Sequence, residues 1–214
     1  MKSFAVIGMS RFGTAVAKKL MDLGHEVLAI DREEHIIENI SGDVTHAVIA
    51  DVTEERNLKA LGLRNYDCVV LAVGYEIADS VLITLSLKEM GVKTVICRAR
   101  DAQHEKILLK IGADRVVIPE FEAGAKLAAQ LADSNLVDYM ELDDAYGISE
   151  INVPDHWVGK SIQEVGVRKK YGCTVVAIKN AYNQDVLIGP KVDYIFAERD
   201  IVVLIGEIEA VKSI

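Results

Sequence analysis

The chain has 214 residues, half of them hydrophobic, with 33 acidic against 24 basic side chains and a net charge of −9. That length is enough to bury a sizeable core in one large domain or two small ones, and that hydrophobic share argues against long disorder. No Lys/Arg block offsets the acidic balance, so nucleic acid is disfavoured as a main partner.

Three cysteines without metal-ligand spacing fit a reducing compartment. Cys68 and Cys97 lie in apolar runs and are expected as buried thiols rather than redox groups. Met1-Lys2 leads straight into a strand-like run, so no signal peptide is expected. The apolar run from Cys68 to Gly74 is far too short to span a bilayer. These features predict a soluble protein without direct membrane insertion, free to dock onto a membrane protein.

In chain order, strands are expected at 3–7, 26–30, 46–50, 67–73, 93–97 and 115–118. All are rich in Val and Ile with little polar alternation, the pattern of strands buried on both faces of a parallel sheet. Helices are expected between them, over 11–23, 32–40, 54–61, 77–90 and 101–111. Four of these end on an apolar residue followed by glycine: Leu23-Gly24, Leu61-Gly62, Met90-Gly91 and Ile111-Gly112. Glycine suits the left-handed position that closes a helix. The alternation predicts an α/β fold with right-handed crossovers, a Rossmann-like doubly wound sheet.

The stretch 119–142, PEFEAGAKLAAQLADSNLVDYMEL, is expected as one longer helix. Gly124, Ala128 and Ala132 recur every four residues along it, with Ala125 and Ala129 beside them. Such a stripe fits either an ordinary core-facing helix or one that packs closely on a second subunit. Beyond it, strands are expected at 147–153, 173–179, 185–188 and 200–205 and short helices at 161–165 and 207–212. This is a small α+β domain with a limited core of its own, which pairing with a copy of itself would help. The boundary is placed so that 1–138 forms the first domain and 139–214 the second.

The chemistry concentrates at GMSRFG, residues 8–13. This is nearly the dinucleotide fingerprint G-x-G-x-x-G, with Ser10 where the second glycine should be. Gly8 permits the tight turn out of the strand, Gly13 lets the helix pack on it, and the helix N-terminus attracts an anion. Ser10 stands near the N-cap, where it can bond the helix N–H groups or donate to a phosphate; its Cβ also adds bulk where clearance matters. Arg11 supplies a charge able to reach a phosphate.

Asp31 ends the second strand, 18 residues after Gly13, where a carboxylate can accept from both ribose hydroxyls and would repel a 2′-phosphate. Asp51 ends the third strand, either beside an adenine or as a turn residue. The five histidines, at 25, 35, 46, 104 and 156, form no metal motif, and no serine sits in a nucleophile elbow. His25 and His104 are expected as surface or packing residues.

Three segments together, FAVIGMSRFGTAVAKKLMDLGHEVLAID, THAVIADVTEERNLKALGLRNYDCVVLAVG and HEKILLKIGADRVVIPE, closely resemble the RCK family, regulators of potassium conductance. Within it they are most similar to the KtrA/TrkA-type cytosolic subunits of bacterial Ktr/Trk potassium transporters. VGKSIQEVGVRKKYGCTVVAIK resembles the RCK C-terminal (TrkA-C) domain.

The resemblance implies a non-enzymatic regulatory subunit, cytoplasmic and peripheral at the membrane. It would form a homo-octameric ring under a membrane-embedded KtrB/TrkH-like transporter subunit and gate ion flux through ring geometry. It implies ATP/ADP as ligands, with NAD/NADH as the alternative. It places the phosphate-reaching arginine on Arg11, the ribose carboxylate on Asp31, the adenine contact on Asp51 and a basic phosphate-side position on Arg98. Phe12, Arg32, Val52, Ala72 and Gly74 complete the expected binding set with Gly8, Ser10 and Gly13.

Glu120 matches a carboxylate holding a cation, Mg2+ or Ca2+, between two nucleotides. Residues near Arg168 and Asn180 match a cyclic di-AMP site in the C-terminal domain. Ser80 agrees with the family; Ser10 and Tyr75-Glu76 depart from it. The alternative function is an NAD(H)-binding redox sensor or small oxidoreductase on the same fold.

Overall fold

The first two strands carry apolar side chains on both of their faces, and the computed structural model, which describes residues 1–73, 76–180 and 185–214, buries both, while the edge strand at 46–49 is only partly covered. In β1 (Ser3–Ile7), Ala5 and Ile7 join one core cluster while Val6 joins another. The same split recurs in β2 (Glu26–Asp31), with Leu28 and Ile30 on one side and Val27 and Ala29 on the other. Side chains alternate across a strand, so a run without polar positions demands cover on both faces. Each such buried Val, Leu or Ile contributes roughly 1.5–3 kcal/mol of transfer free energy.

That cover comes from α1 (Arg11–Asp22), α2 (Glu34–Ile40), α3 (Glu55–Ala60), α4 (Ile77–Glu89) and α5 (Ala102–Lys110). They alternate with β3 (His46–Ile49), β4 (Cys68–Leu71), β5 (Val95–Arg98) and β6 (Arg115–Val117). The six strands pair in parallel in the order β3-β2-β1-β4-β5-β6. The direction of winding therefore reverses between β1 and β4, as a doubly wound sheet requires. Gly24, Gly62, Gly91 and Gly112 all have positive φ, as expected for left-handed residues that end helices. Cys68, Cys97 and Cys173 are buried free thiols. Burial pushes Cys68 up to about 11, so it carries little thiolate at neutral pH.

The chain divides into two compact units, Met1–Glu120 and Phe121–Ile214. The expected long helix is in fact two elements, α6 (Pro119–Ala132) and β7 (Leu136–Glu141). Asp133 separates them: its Oδ1 accepts from the Asn135 N–H at 2.9 Å, an Asx turn that competes with helix. A boundary at 138/139 would therefore cut through β7, which pairs with β8 (Tyr146–Asn152) in the second sheet.

That sheet is antiparallel in the order β10-β9-β11-β8-β7, with β9 (Thr174–Lys179), β10 (Val186–Ile188) and β11 (Ile201–Glu207). The helices α7 (Ile162–Val165), α8 (Val167–Tyr171) and α9 (Ile208–Val211) are single turns. Trp157 is the largest buried side chain of this unit and packs against Phe196 and Tyr171, at ring-centroid distances of 5.3 and 5.9 Å. No residue of α6 is buried, which removes the core-facing reading of its small-residue stripe. Among the described residues, no helix is long and apolar enough to cross a membrane.

Candidate functional site

The turn between β1 and α1 is shaped by its two glycines. Gly8 has φ +89°, and a Cβ there would lie 2.9 Å from the backbone nitrogen of Val73. A Cβ on Gly13 would run into the Gly8 carbonyl oxygen, so only glycine lets α1 start this close to the strand. Ser10 caps the helix: its Oγ accepts from the Gly13 N–H at 3.4 Å. The same hydroxyl donates to the Ala72 carbonyl at 3.3 Å, just past β4. Its proton is thus directed at a carbonyl just past β4. The first-turn N–H groups of Arg11 and Phe12 have no intrahelical acceptor and are available to an anion.

Asp31 closes β2 against this turn. Its Oδ2 accepts from the Met9 N–H at 2.7 Å and its Oδ1 from the Glu33 N–H at 3.0 Å. At the end of β3, Asp51 Oδ1 accepts from both the Thr53 hydroxyl (2.7 Å) and the Thr53 N–H (3.0 Å). These two bonds, with a smaller contribution from the Arg32 charge, hold the Asp51 carboxyl below its ordinary pKa. The Asn57 amide donates to the Asp51 carbonyl at 2.9 Å and fixes the loop from below.

These elements surround a cleft of about 340 Å³ at the carboxyl ends of the strands, beside the switch point. Gly8, Ser10, Asp31, Arg32, Asp51, Val52 and Ala72 all line it. Ile36, Thr53, Val73, Asp79 and Ile83 line it too, and sequence reading had not singled them out. Asp79 and Ile83 sit four apart on one face of α4, a spacing that offered a signal; Thr53 offered another, two residues beyond a strand-end Asp. Among the described lining residues, five carboxylates, Asp31, Glu33, Asp51, Glu76 and Asp79, accompany one arginine, Arg32, which is itself paired with Glu33 at 3.3 Å.

Other candidates lie apart from the cleft. Arg11 is exposed on the first turn of α1. Phe12 packs into the cluster that contains Val6 and Met9, and Gly13 serves through backbone clearance. Arg98 ends β5 and binds Glu120 at the start of α6, Nη2 to Oε1 at 2.5 Å. Glu120's own backbone N–H and the Arg98 guanidinium lower its carboxyl pKa. Among the described residues, no group of three or more His, Cys, Asp or Glu side chains is arranged to hold a metal ion. Gly74 and Tyr75 lie outside the described residues.

His104 is a buried packing residue. Its Nδ1 accepts from the Arg100 N–H at 3.3 Å, which leaves Nε2 to carry the proton and donate to Ser80 Oγ at 2.8 Å.

Comparison with known proteins identifies the family of both units. The TrkA-N domain model matches residues 4–119 and the TrkA-C domain model residues 148–214. The chain is 42% identical over 211 residues to Ktr system potassium uptake protein A of Bacillus subtilis (strain 168), covering 99% of this chain and 94% of that protein. It is 40% identical over 207 residues to Ktr system potassium uptake protein C of the same organism, covering 97% and 93%. In fold it resembles the solved GsuK channel bound to NAD, with TM-score 0.55 and 24% identity, over all of this chain and 38% of that one. A first unit built on the TrkA-N pattern, a second on TrkA-C, and close likeness over nearly the whole length place this chain in the RCK family, among relatives of the Ktr system potassium uptake proteins.

Proposed function

We propose that this chain is a nucleotide-binding regulatory subunit of a Ktr/Trk-type potassium uptake system and not an enzyme. The observation that carries the reading is the cleft in which Asp31 ends β2 beside the glycine-shaped N-terminus of α1. Carboxylates at the ends of β2 and β3 suit ribose and adenine, and the free N–H groups of α1 suit a phosphate. ATP or ADP is the ligand class. Arg11, exposed beside the helix start, reaches the outer phosphates. The acidic lining would repel a bare polyphosphate, which favours a nucleotide that arrives with Mg2+ or Ca2+. Glu120, two-thirds exposed, is placed to share such a cation when two sites meet at a subunit seam.

Binding would change the geometry of a homo-oligomeric ring, octameric in this reading, docked on a membrane-embedded transporter subunit at the cytoplasmic face. The C-terminal unit, near Arg168 and Asn180, is the candidate site for cyclic di-AMP. A thermal-shift panel of ATP, ADP, NAD, NADH and cyclic di-AMP tests the assignment, because a ligand that binds the folded state raises the midpoint by mass action. ATP and ADP should raise it most. If no nucleotide raises it, the reading fails. If NADH alone does, and the protein also turns NADH over, the oxidoreductase alternative takes its place.

A further inference from the structure

The described lining of the cleft comes from the ends of β1, β2 and β3 and the residues that follow them, from α2, from the residues after β4, and from α4; none of it comes from β5 or β6. A dinucleotide on a doubly wound sheet needs both sides. One nucleoside lies over the first three strands and the other over the last three, with the pyrophosphate crossing between at the start of the first helix. The middle glycine of the fingerprint exists so that backbone can approach this crossing. Here that position holds Ser10. Its hydroxyl spans the gap from the α1 cap, where it accepts from Gly13, to the Ala72 carbonyl beyond β4.

We propose that Ser10 sets the ligand class of the cleft: its side chain bars the β1–β4 crossing and restricts the site to mononucleotides. The inference rests on the nucleotide reading above and sharpens it. Three features act together. The Cβ takes up clearance. The bridge to Ala72 closes the passage. With its proton committed to Ala72, the hydroxyl turns a lone pair, not a donor, towards any phosphate that crosses. A mononucleotide escapes all three, because its phosphate chain ends freely and can turn outward to solvent and Arg11. A dinucleotide must carry its second nucleoside past the bridge. On the far side, Arg98 is already engaged by Glu120.

The test is a pair of titrations, ADP by calorimetry and NADH by its fluorescence, on the native protein and on Ser10→Gly. Glycine is tolerated at an N-cap at a cost of a few tenths of a kcal/mol, and thermal midpoints check that the variant is folded. NADH should bind at least tenfold more tightly to Ser10→Gly, and any change in ADP affinity should be several-fold smaller than that gain. Adding Asp31→Ala to that variant should abolish the gain, which places the NADH in this cleft. Ser10→Ala, which loses only the bridge, should gain part of it. Equal NADH affinity in the native protein and both Ser10 variants overturns the role of Ser10 while ADP binding leaves the nucleotide reading intact. A parallel rise for ADP and NADH also overturns it, since that is general crowding rather than a barrier. If neither ligand binds any of the proteins, the nucleotide reading itself falls.

Discussion

Asp31 does two things in this fold. Its carboxylate is aimed into the cleft, and it already accepts from two backbone N–H groups, those of Met9 and Glu33. Asp31→Ala therefore has two separable effects. Loss of a charged hydrogen bond to a ribose, roughly 1.5–3 kcal/mol, lowers nucleotide affinity about tenfold or more. The part-buried Met9 N–H left without its acceptor costs up to about 1–3 kcal/mol of folding stability, whereas water replaces the acceptor at the exposed Glu33 N–H. Calorimetric titration and urea unfolding of the same variant measure both. An unchanged affinity removes Asp31 from the site, and an unchanged urea midpoint means the Met9 bond contributes little. The position of Asp31 at a strand end was legible in the sequence. Its bond to Met9 was not, because Met9 is 22 residues away and only the pairing of β1 with β2 brings it close.

At the scale of elements, one buried network joins α4, α5 and β5. Ser80 on α4 accepts from His104 on α5 and donates to the Ile77 carbonyl at 2.9 Å, while Thr84 meets Cys97 of β5 at 3.3 Å. Burial, together with the Arg100 charge and partly opposed by Asp101, lowers the His104 pKa below its ordinary 6.5. As pH falls below that value, the unfolded chain takes up a proton that the folded one still refuses. Stability therefore declines from about pH 6.5 down towards the folded pKa and is flat with respect to this group above and below that window. His104→Gln should be less stable at neutral pH yet lose less on acidification. Urea midpoints at a series of pH values check this: a constant offset between the two proteins across the window shows that His104 does not titrate as a buried neutral imidazole. Helix and strand positions in this unit were legible, since the strands are unbroken apolar runs and four of the helices end at an apolar-Gly pair. The segment 136–141 did not, because Leu and Met suit either state. The signal lay instead in the Asp133-Ser134-Asn135 turn before it.

For the whole molecule, the decisive surface is α6. Phe121, Leu127 and Leu131 are 71%, 55% and 77% exposed, and beside Gly124 there is open space within 4 Å. An apolar helix face without cover in a single chain is expected to be covered by another copy. Light scattering at micromolar concentration should give a mass several times that of one chain. Leu131→Glu should lower it without changing the secondary structure seen by circular dichroism. A monomer in the native protein would remove the ring from the proposed function.

What the sequence determined alone were features whose cause is local. Apolar runs buried on both faces set the parallel sheet, apolar-Gly pairs set the helix ends, and the spacing from Gly13 to Asp31 set the candidate site. Tertiary structure alone decided which groups meet across chain separations that no local pattern encodes. It gave Ser10's proton to Ala72, 62 residues on, and set Glu120 against Arg98, 22 residues back. The physical reason is that periodicity reports which face of an element avoids water. The partner of a polar group depends on the order in which strands stack, and that order is a property of the whole sheet.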